Sequence, residues 1–289
     1  MDSRLVRWLT LLAWCFLAGI PELRAETITI MAANLSSGDH QSYEAPGIRI
    51  FQGLQPDVVL IQEFSYESGS LDELVETAFG SDYTYMIETG NETIPNGIVS
   101  RFPIIDSGEW EDPLVPDRDF AWAIIDIPGN IHLQCISVHF KADSGSSGIR
   151  AQEAQAILNH IAAAFDPLAY IVIGGDLNTR SLDEQALSIL ETELAVSAHV
   201  PMDQNGNRNT SEPRTKPYDW CIPNDVLNSR HAPLVIGASI YPDGLVFDSA
   251  VYTPLTEVSP VQTGDSHVNG MQHMAVMKAF EVSTTPPTT

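Results

Sequence analysis

Basic residues are scarce in this chain: 14 Lys and Arg stand against 38 Asp and Glu, for a formal net charge of −24. Such a surface repels polyanions and weighs against tight non-specific nucleic-acid binding, which draws its affinity from Lys and Arg on phosphates. Turnover of nucleic acid aided by bound cations stays open. Cysteine is nearly absent, with three in 289 residues. Cys15 falls in the amino-terminal apolar segment, and Cys135 and Cys221 sit in apolar, strand-like runs. Two such residues read as buried thiols rather than as a disulfide framework, although a single bridge fits an oxidising compartment. Long apolar runs are also lacking, since the stretch from Trp8 to Ile20 is too short for a confident membrane span.

What that stretch does match is a secretory signal. Arg4 and Arg7 precede it, and Leu23-Arg24-Ala25 follows before Glu26, so residues 1–25 are expected to be a signal peptide and the protein secreted or periplasmic. Ile20 stands where a lipoprotein would need Cys, so no lipid anchor is expected there. Maturation makes the charge one unit more negative, because Arg4, Arg7 and Arg24 leave with Asp2 and Glu22. Residues 26–282 then suffice for one large domain, and the end, 283–289, with Pro286 and Pro287, reads as a disordered tail.

Along the chain, Thr27 to Met31 alternates as a strand and ends near Asn34. Gly38 and Asp39 mark a loop. A short amphipathic segment around Ile48, Ile50, Phe51 and Leu54 leads to Pro56 and the buried strand Asp57 to Gln62, which delivers Glu63. The same order returns later: a helix from Arg150 to Phe165, Pro167, and the strand Ile171-Val172-Ile173-Gly174-Gly175-Asp176. This repeat predicts two similarly built halves whose strands bring Glu63 and Asp176 to one rim. Between them, Ser70 and Glu73 form a capping box for a helix over 71–79. Strands are expected at Tyr83–Ile87, Gly97–Ser100, Ala121–Ile127 and Ile131–His139, and a Ser/Gly loop from Asp143 to Gly148. Ser181 and Glu184 look like a second capping box, opening a helix that runs to Leu194. Met202 to Lys216 is polar and reads as an exposed excursion, followed by strands at Tyr218–Pro223, Leu234–Tyr241 and Met274–Val282. Strands with interspersed outer helices predict an α/β fold, a four-layer α/β/β/α sandwich of two mainly antiparallel sheets.

The stretch ending in Gly174-Gly175-Asp176-Leu177-Asn178 carries the chemistry. Paired glycines permit close backbone approach, after which a carboxylate and an amide emerge two residues apart, suited to holding a water and a divalent cation against a phosphate. Asn34, Gln62-Glu63, Asn96-Gly97-Ile98-Val99-Ser100-Arg101-Phe102-Pro103-Ile104, Ser137-Val138-His139, Gly175-Asp176-Leu177-Asn178, Tyr218-Asp219-Trp220 and Gln272-His273-Met274-Ala275-Val276 come in a fixed order. In order and spacing they resemble the endonuclease/exonuclease/phosphatase superfamily of deoxyribonuclease-like, metal-dependent phosphohydrolases.

That resemblance implies a set of roles. Glu63 and Asn34 would ligate Mg²⁺, or Mn²⁺ in its place, with Gln272 in the metal shell. Asp176 would orient or deprotonate the attacking water, and Asn178 would hold phosphate or the metal shell. His273 would stabilise phosphoryl charge while Asp219 fixes its ring, and His139 would be a proton donor to the leaving oxygen. Taken singly, each has a structural reading as a turn cap, loop brace or satisfied core residue. One departure stands out: the family usually has Ser-Asp-His where this chain has Met271-Gln272-His273, so an amide replaces a carboxylate. Asp265 and His267 offer an alternative Asp-x-His, disfavoured because no Met-Ala-Val strand follows it.

The implied function is hydrolysis of a phosphodiester or phosphomonoester in nucleic acid, a phospholipid head group or a small ester, with no stable membrane insertion and no obligate protein partner. A phosphodiesterase or endonuclease is the leading reading because both histidines are present. The alternatives are a phosphomonoesterase or sphingomyelinase-type phospholipase, a non-catalytic binding module on the same fold, and an acidic adhesion domain in which these residues are scattered.

Overall fold

The computed structural model describes residues 25–37, 44–90, 93–129 and 131–283. Residues 1–24 of the expected signal peptide, the expected Gly38-Asp39 loop and the expected tail from Thr284 lie outside the described residues. In chain order, β1 (Ala25–Asn34), α1 (Glu44–Leu54), β2 (Val58–Gln62), α2 (Leu71–Ala78), β3 (Thr84–Ile87), β4 (Gly97–Ser100), β5 (Ile104–Trp110), β6 (Phe120–Ile125), β7 (Leu133–His139) and α3 (Ser147–Ala164) make up the first half. Then come β8 (Tyr170–Asp176), α4 (Gln185–Leu190), β9 (Asp219–Pro223) and α5 (Asp225–Asn228). Four short strands, β10 (His231–Ala232), β11 (Leu234–Ile236), β12 (Ser239–Tyr241) and β13 (Leu245–Phe247), precede the closing β14 (Ala275–Ser283).

One sheet has the order β10-β14-β1-β2-β4-β3, with β13 also paired to β14; the other is β5-β6-β7-β8-β9. Among the described strands only the pairs β1 with β2 and β7 with β8 run parallel, and a parallel pair needs a crossover. Here α1 and α3 supply it. The repeated helix, proline, strand and acid is therefore one crossover used once in each sheet.

The central strands are apolar on both faces because each face is covered. On β2, Val58 and Leu60 join Ile28, Ile30 and Ile98 against Cys135, Val172 and Cys221 of the other sheet. Its alternate residues Val59 and Ile61 face Phe51, Leu54, Leu74 and Val75 of α1 and α2. Across the molecule, Ile136, Val138, Ile171 and Ile173 pack under Ala154, Ile157, Leu158 and Leu190 of α3 and α4. Helices, sheet, sheet, helices is the expected four-layer order. Each fully buried aliphatic side chain contributes about 1.5–3 kcal/mol. Cys135 and Cys221 are free thiols in the layer between the sheets.

The glycines of β8 set how closely the sheets approach. A Cβ on Gly174 would lie 2.6 Å from Leu60 Cδ1, and one on Gly175, at φ +132°, would run into the Val138 carbonyl and the Gln62 amide. Gln62 Nε2 instead reaches across to Ser137 Oγ (2.8 Å), which donates to the Ile61 carbonyl (2.8 Å). These bonds lock the two sheets together directly beneath the rim.

Ser70 and Glu73 form the expected reciprocal cap of α2. Other expectations are corrected. Glu184 is not half of a capping box: its carboxylate takes Arg150 and the Arg180 N–H, and α4 spans only Gln185–Leu190. The Ser/Gly loop is shorter than expected because α3 begins at Ser147. The single strand over 234–241 is a hairpin, turned at Gly237 (φ +57°). The polar stretch 202–216 is not an exposed excursion. Asp203, Thr210 and Ser211 are buried, and Arg214 bridges Asp203 (2.7 Å) and Asp248 (2.8 Å), so the segment satisfies its polar groups internally and packs on the fold.

Candidate active site

Strand register assembles the site. His139 pairs with Asp176 across β7 and β8, and Asp176 pairs with Asp219 across β8 and β9, which places three candidate residues side by side on one rim. On the facing sheet Asn34 pairs with Gln62, the residue before Glu63. Both chain exits are sharply turned: Glu63 (φ +54°) and Asn178 (φ +51°) occupy the left-handed region, which costs non-glycine residues energy and is enriched at functional sites. Asn178 is held there by its N–H on Asp176 Oδ1 (2.8 Å) and its amide on the Phe140 carbonyl (3.0 Å). The Ser37 hydroxyl braces the Glu63 carbonyl.

Asp176, 1% exposed, is the hub. Its Oδ2 accepts from Asn178 Nδ2 (3.0 Å) and Asn34 Nδ2 (3.2 Å), and lies 3.3 Å from His139 Nε2 and 3.5 Å from His273 Nε2. Asn34 Nδ2 also donates to Glu63 Oε1 (3.3 Å), so one amide lies between two carboxylates. His273 Nδ1 faces Asp219 Oδ2 (3.0 Å) and Oδ1 (3.1 Å). Six of the eight residues singled out in the sequence thus join Asp176 in one network, an arrangement that rules out the scattered-residue adhesion reading. Gln272 is exposed at the solvent edge, its N–H on Ser36 Oγ (3.2 Å) and its carbonyl accepting from Glu212 N (2.8 Å). Asp265 and His267 serve elsewhere: Asp265 binds Arg49 (2.5 Å), and His267 bridges Glu212 (3.1 Å) and Asp248 (2.9 Å).

Protonation follows from these surroundings. Burial, with Asp219 and Glu63 nearby and His273 opposing, pushes Asp176 up to about 7. Burial works against a charged His273, yet the Asp219 and Asp176 carboxylates outweigh it and raise the imidazole to about 9. His139 goes the other way: burial, then the Arg118, His273 and Lys141 charges, lower it well below the usual histidine value, so it is neutral. A cationic His273 beside a neutral His139 gives the rim one fixed positive charge and one polar group that bonds without charge.

The donor set fits a hard divalent cation. Glu63 and Asp176 present carboxylate oxygens on either side of the Asn34 amide, and Mg²⁺-like ions take one or two carboxylates, leaving the remaining positions to water and substrate phosphate. Asp176, Asp219 and His273 also offer donor atoms within 4.8 Å of one another. Asp219, however, is engaged with His273 Nδ1, which makes that trio an acid–base array more than a cation cage.

Several supporting residues escaped the sequence reading. Arg118, buried, places Nη1 2.8 Å from His139 Nδ1. Thr210 accepts the Asp219 N–H on Oγ1 (2.7 Å) and the Met274 N–H on its carbonyl (2.7 Å), tying together the strands that carry Asp219 and His273. Ser36 donates its N–H to Asn34 Oδ1 (2.6 Å). Arg118 stands between Asp117 and Asp119, the one signal that could have marked it; Thr210 lies in a polar run with no pattern to single it out.

The fold is shared with TDP2 from C. elegans, at a TM-score of 0.61 and 13% identity over 90% of this chain and 77% of that one. It is shared also with an endonuclease/exonuclease/phosphatase from Beutenbergia cavernae (TM-score 0.59, 16% identity, 90% and 72% covered). A beta toxin from Staphylococcus aureus is similar too (TM-score 0.58, 14% identity, 88% and 100% covered). No curated protein matches the sequence. The profile of the Endonuclease/Exonuclease/phosphatase family, whose members are generally metal-dependent phosphoester hydrolases, matches residues 35–264. That span holds every site residue except Asn34, Gln272 and His273, and the chain belongs to this family.

Proposed function

We propose that this protein is an exported, Mg²⁺-dependent phosphodiesterase that cleaves its substrate by in-line attack of a water. The observation that carries the reading is the convergence on Asp176 Oδ2 of Asn34, His139, Asn178 and His273, drawn from both sheets.

Asp176 is the group placed to take a proton from the attacking water, since its carboxyl sits near neutrality where it can both accept and release one. His273, cationic and fixed by Asp219, faces the same oxygen and supports stabilisation of charge on the phosphoryl group. Its proton is also available to a leaving oxygen, a role the sequence reading gave to His139. His139, neutral and beside Arg118, supports a positioning role on Asp176. Asn178 holds the Asp176 carboxylate in place through both its amides. Glu63 and Asn34, with Gln272 at the edge, would hold the metal ion, which when bound supplies charge neutralisation for the phosphate. Mn²⁺ could replace Mg²⁺ on the same oxygens.

A cleft lined by Ile48, Phe51, Tyr66, Leu74 and Met271 opens beside Asn34 and His273. With the acidic surface, it favours a compact ester carrying an apolar substituent over a long polyanion. Export rests on the Arg4, Arg7 and apolar 8–20 pattern; among the described residues no helix is long and apolar enough to cross a membrane. Comparing bis(p-nitrophenyl) phosphate, p-nitrophenyl phosphate and plasmid DNA as substrates tests the reading. Faster turnover of the diester supports it, and exclusive cleavage of the monoester overturns the diesterase assignment in favour of a phosphomonoesterase.

A further inference from the structure

Away from this site, three segments meet at the far end of the seven-stranded sheet. His199 lies in the loop after α4, His231 opens β10 and Asp243 sits in the turn between β12 and β13. One donor atom from each side chain lies within 4.8 Å of the others. β10 pairs with β14 at Phe280, seven residues along the chain from His273, or roughly 20 Å at a strand's rise per residue.

The chemistry of the two imidazoles is well defined. His231 Nε2 is 2.7 Å from the Pro242 carbonyl, which can only accept, so Nε2 carries the hydrogen. In the neutral ring Nδ1 then bears the lone pair, and this buried atom has no hydrogen-bond partner. A backbone carbonyl fixing the tautomer while the other nitrogen is left open is how proteins hold a metal-binding histidine. The His199 and His231 rings stack with centroids 3.8 Å apart and planes 13° from parallel, an arrangement that disfavours charging both. His199 Nδ1 lies 2.9 Å from Asp243 Oδ1. Lys278, the nearby cation, is turned to the Ala198 carbonyl, to which it donates (3.1 Å).

We propose that His199, His231 and Asp243 form a second metal site, for a borderline divalent transition ion of the Zn²⁺ class, that clips the loop after α4 and the β12–β13 turn to the edge of the sheet. Two imidazoles and one carboxylate match zinc-type preferences and are a poor set for Mg²⁺, which asks for oxygens. Zinc–nitrogen bonds of about 2.0–2.1 Å lie in the plane of each ring, so binding requires the His199 ring to turn out of its stack on His231 and give up its bond to Asp243, a rearrangement open to an exposed side chain on a loop. The two sites thereby select different ions.

The test uses the full mature chain stripped with a chelator. Zn²⁺ is titrated calorimetrically in excess Mg²⁺ into the wild type, His199→Ala and Asp243→Asn, and hydrolysis is measured in parallel. His199 is exposed, so its removal leaves the fold intact, and far-ultraviolet circular dichroism verifies this for both variants. We expect each variant to bind one Zn²⁺ equivalent fewer than the wild type, or to bind it at least 10-fold more weakly, to lose the rise in thermal midpoint that Zn²⁺ gives the wild type, and to keep Mg²⁺-supported hydrolysis. Equal stoichiometry and affinity in all three proteins would overturn the proposal, as would a wild type that takes up no Zn²⁺.

Discussion

Arg150 offers the sharpest test of how the scaffold holds the rim. The residue is fully buried, and its guanidinium makes four hydrogen bonds: Nε to Glu184 Oε2 (2.8 Å), Nη2 to Glu184 Oε1 (2.7 Å), and Nη1 to the Lys141 and Asp143 carbonyls (3.0 Å each). Glu184 Oε1 also receives the Arg180 N–H (2.7 Å). One ion pair thus joins the loop leaving His139 to the loop leaving Asp176 and Asn178. Arg150→Met preserves much of the volume but strands a buried carboxylate. Breaking a buried pair in this way costs about 3–5 kcal/mol, whereas replacing both partners is far milder. For a domain of this size, with a urea m-value of about 3 kcal/mol/M, the midpoint should fall by about 1–1.7 M. Tryptophan fluorescence in urea reads this directly, and Arg150→Met/Glu184→Met should be more stable than Arg150→Met alone. A single-variant loss below about 1 kcal/mol, or strictly additive losses in the double variant, would refute the coupling.

Three further outcomes follow from the same structure. Gly175→Ala should destabilise by more than about 2 kcal/mol in thermal unfolding, because the position has φ +132° and its Cβ would meet the Val138 carbonyl and Gln62. Burial raises Glu88 from 4.5 to about 8, so the folded protein retains a proton that the unfolded chain releases. Stability should therefore decline as pH rises from about 4.5 to 8 and level off above, by an amount on the order of 4 kcal/mol, and Glu88→Gln should flatten that slope in urea titrations. Asp219→Asn should keep the fold and lower kcat by about 10²-fold with little change in KM, the mark of lost imidazole positioning rather than lost binding.

The parts of the fold that could be read from sequence are those with two independent signals. β2 and β8 combine a β-branched apolar run with a preceding proline and a terminal acid, and burial on both faces makes such a run unmistakable. The Ser70–Glu73 cap and the Gly174-Gly175 approach were legible because each has a single physical cause. β5 was not, since it is an edge strand with a register shift between Ile104 and Asp106 that breaks its alternation and leaves Ile105 exposed. β10 and β13 exist only because β14 pairs with them. In the site, residues at strand ends announced themselves, whereas Arg118 reaches His139, Thr210 joins Asp219 to Met274, and Ser36 meets Gln272 across 236 residues, contacts that no local pattern encodes.

Two strand rims meet with Asp176 at their hub, and we propose that they form one metal-assisted hydrolytic site. The decisive measurement is hydrolysis of bis(p-nitrophenyl) phosphate by the chain without residues 1–25, with Mg²⁺, with Mn²⁺ and with EDTA, beside Asp176→Asn. Turnover that requires the metal, disappears in EDTA and falls at least about 10³-fold in Asp176→Asn is the predicted result. Full activity in EDTA, or an Asp176→Asn enzyme as fast as the wild type, would contradict the account.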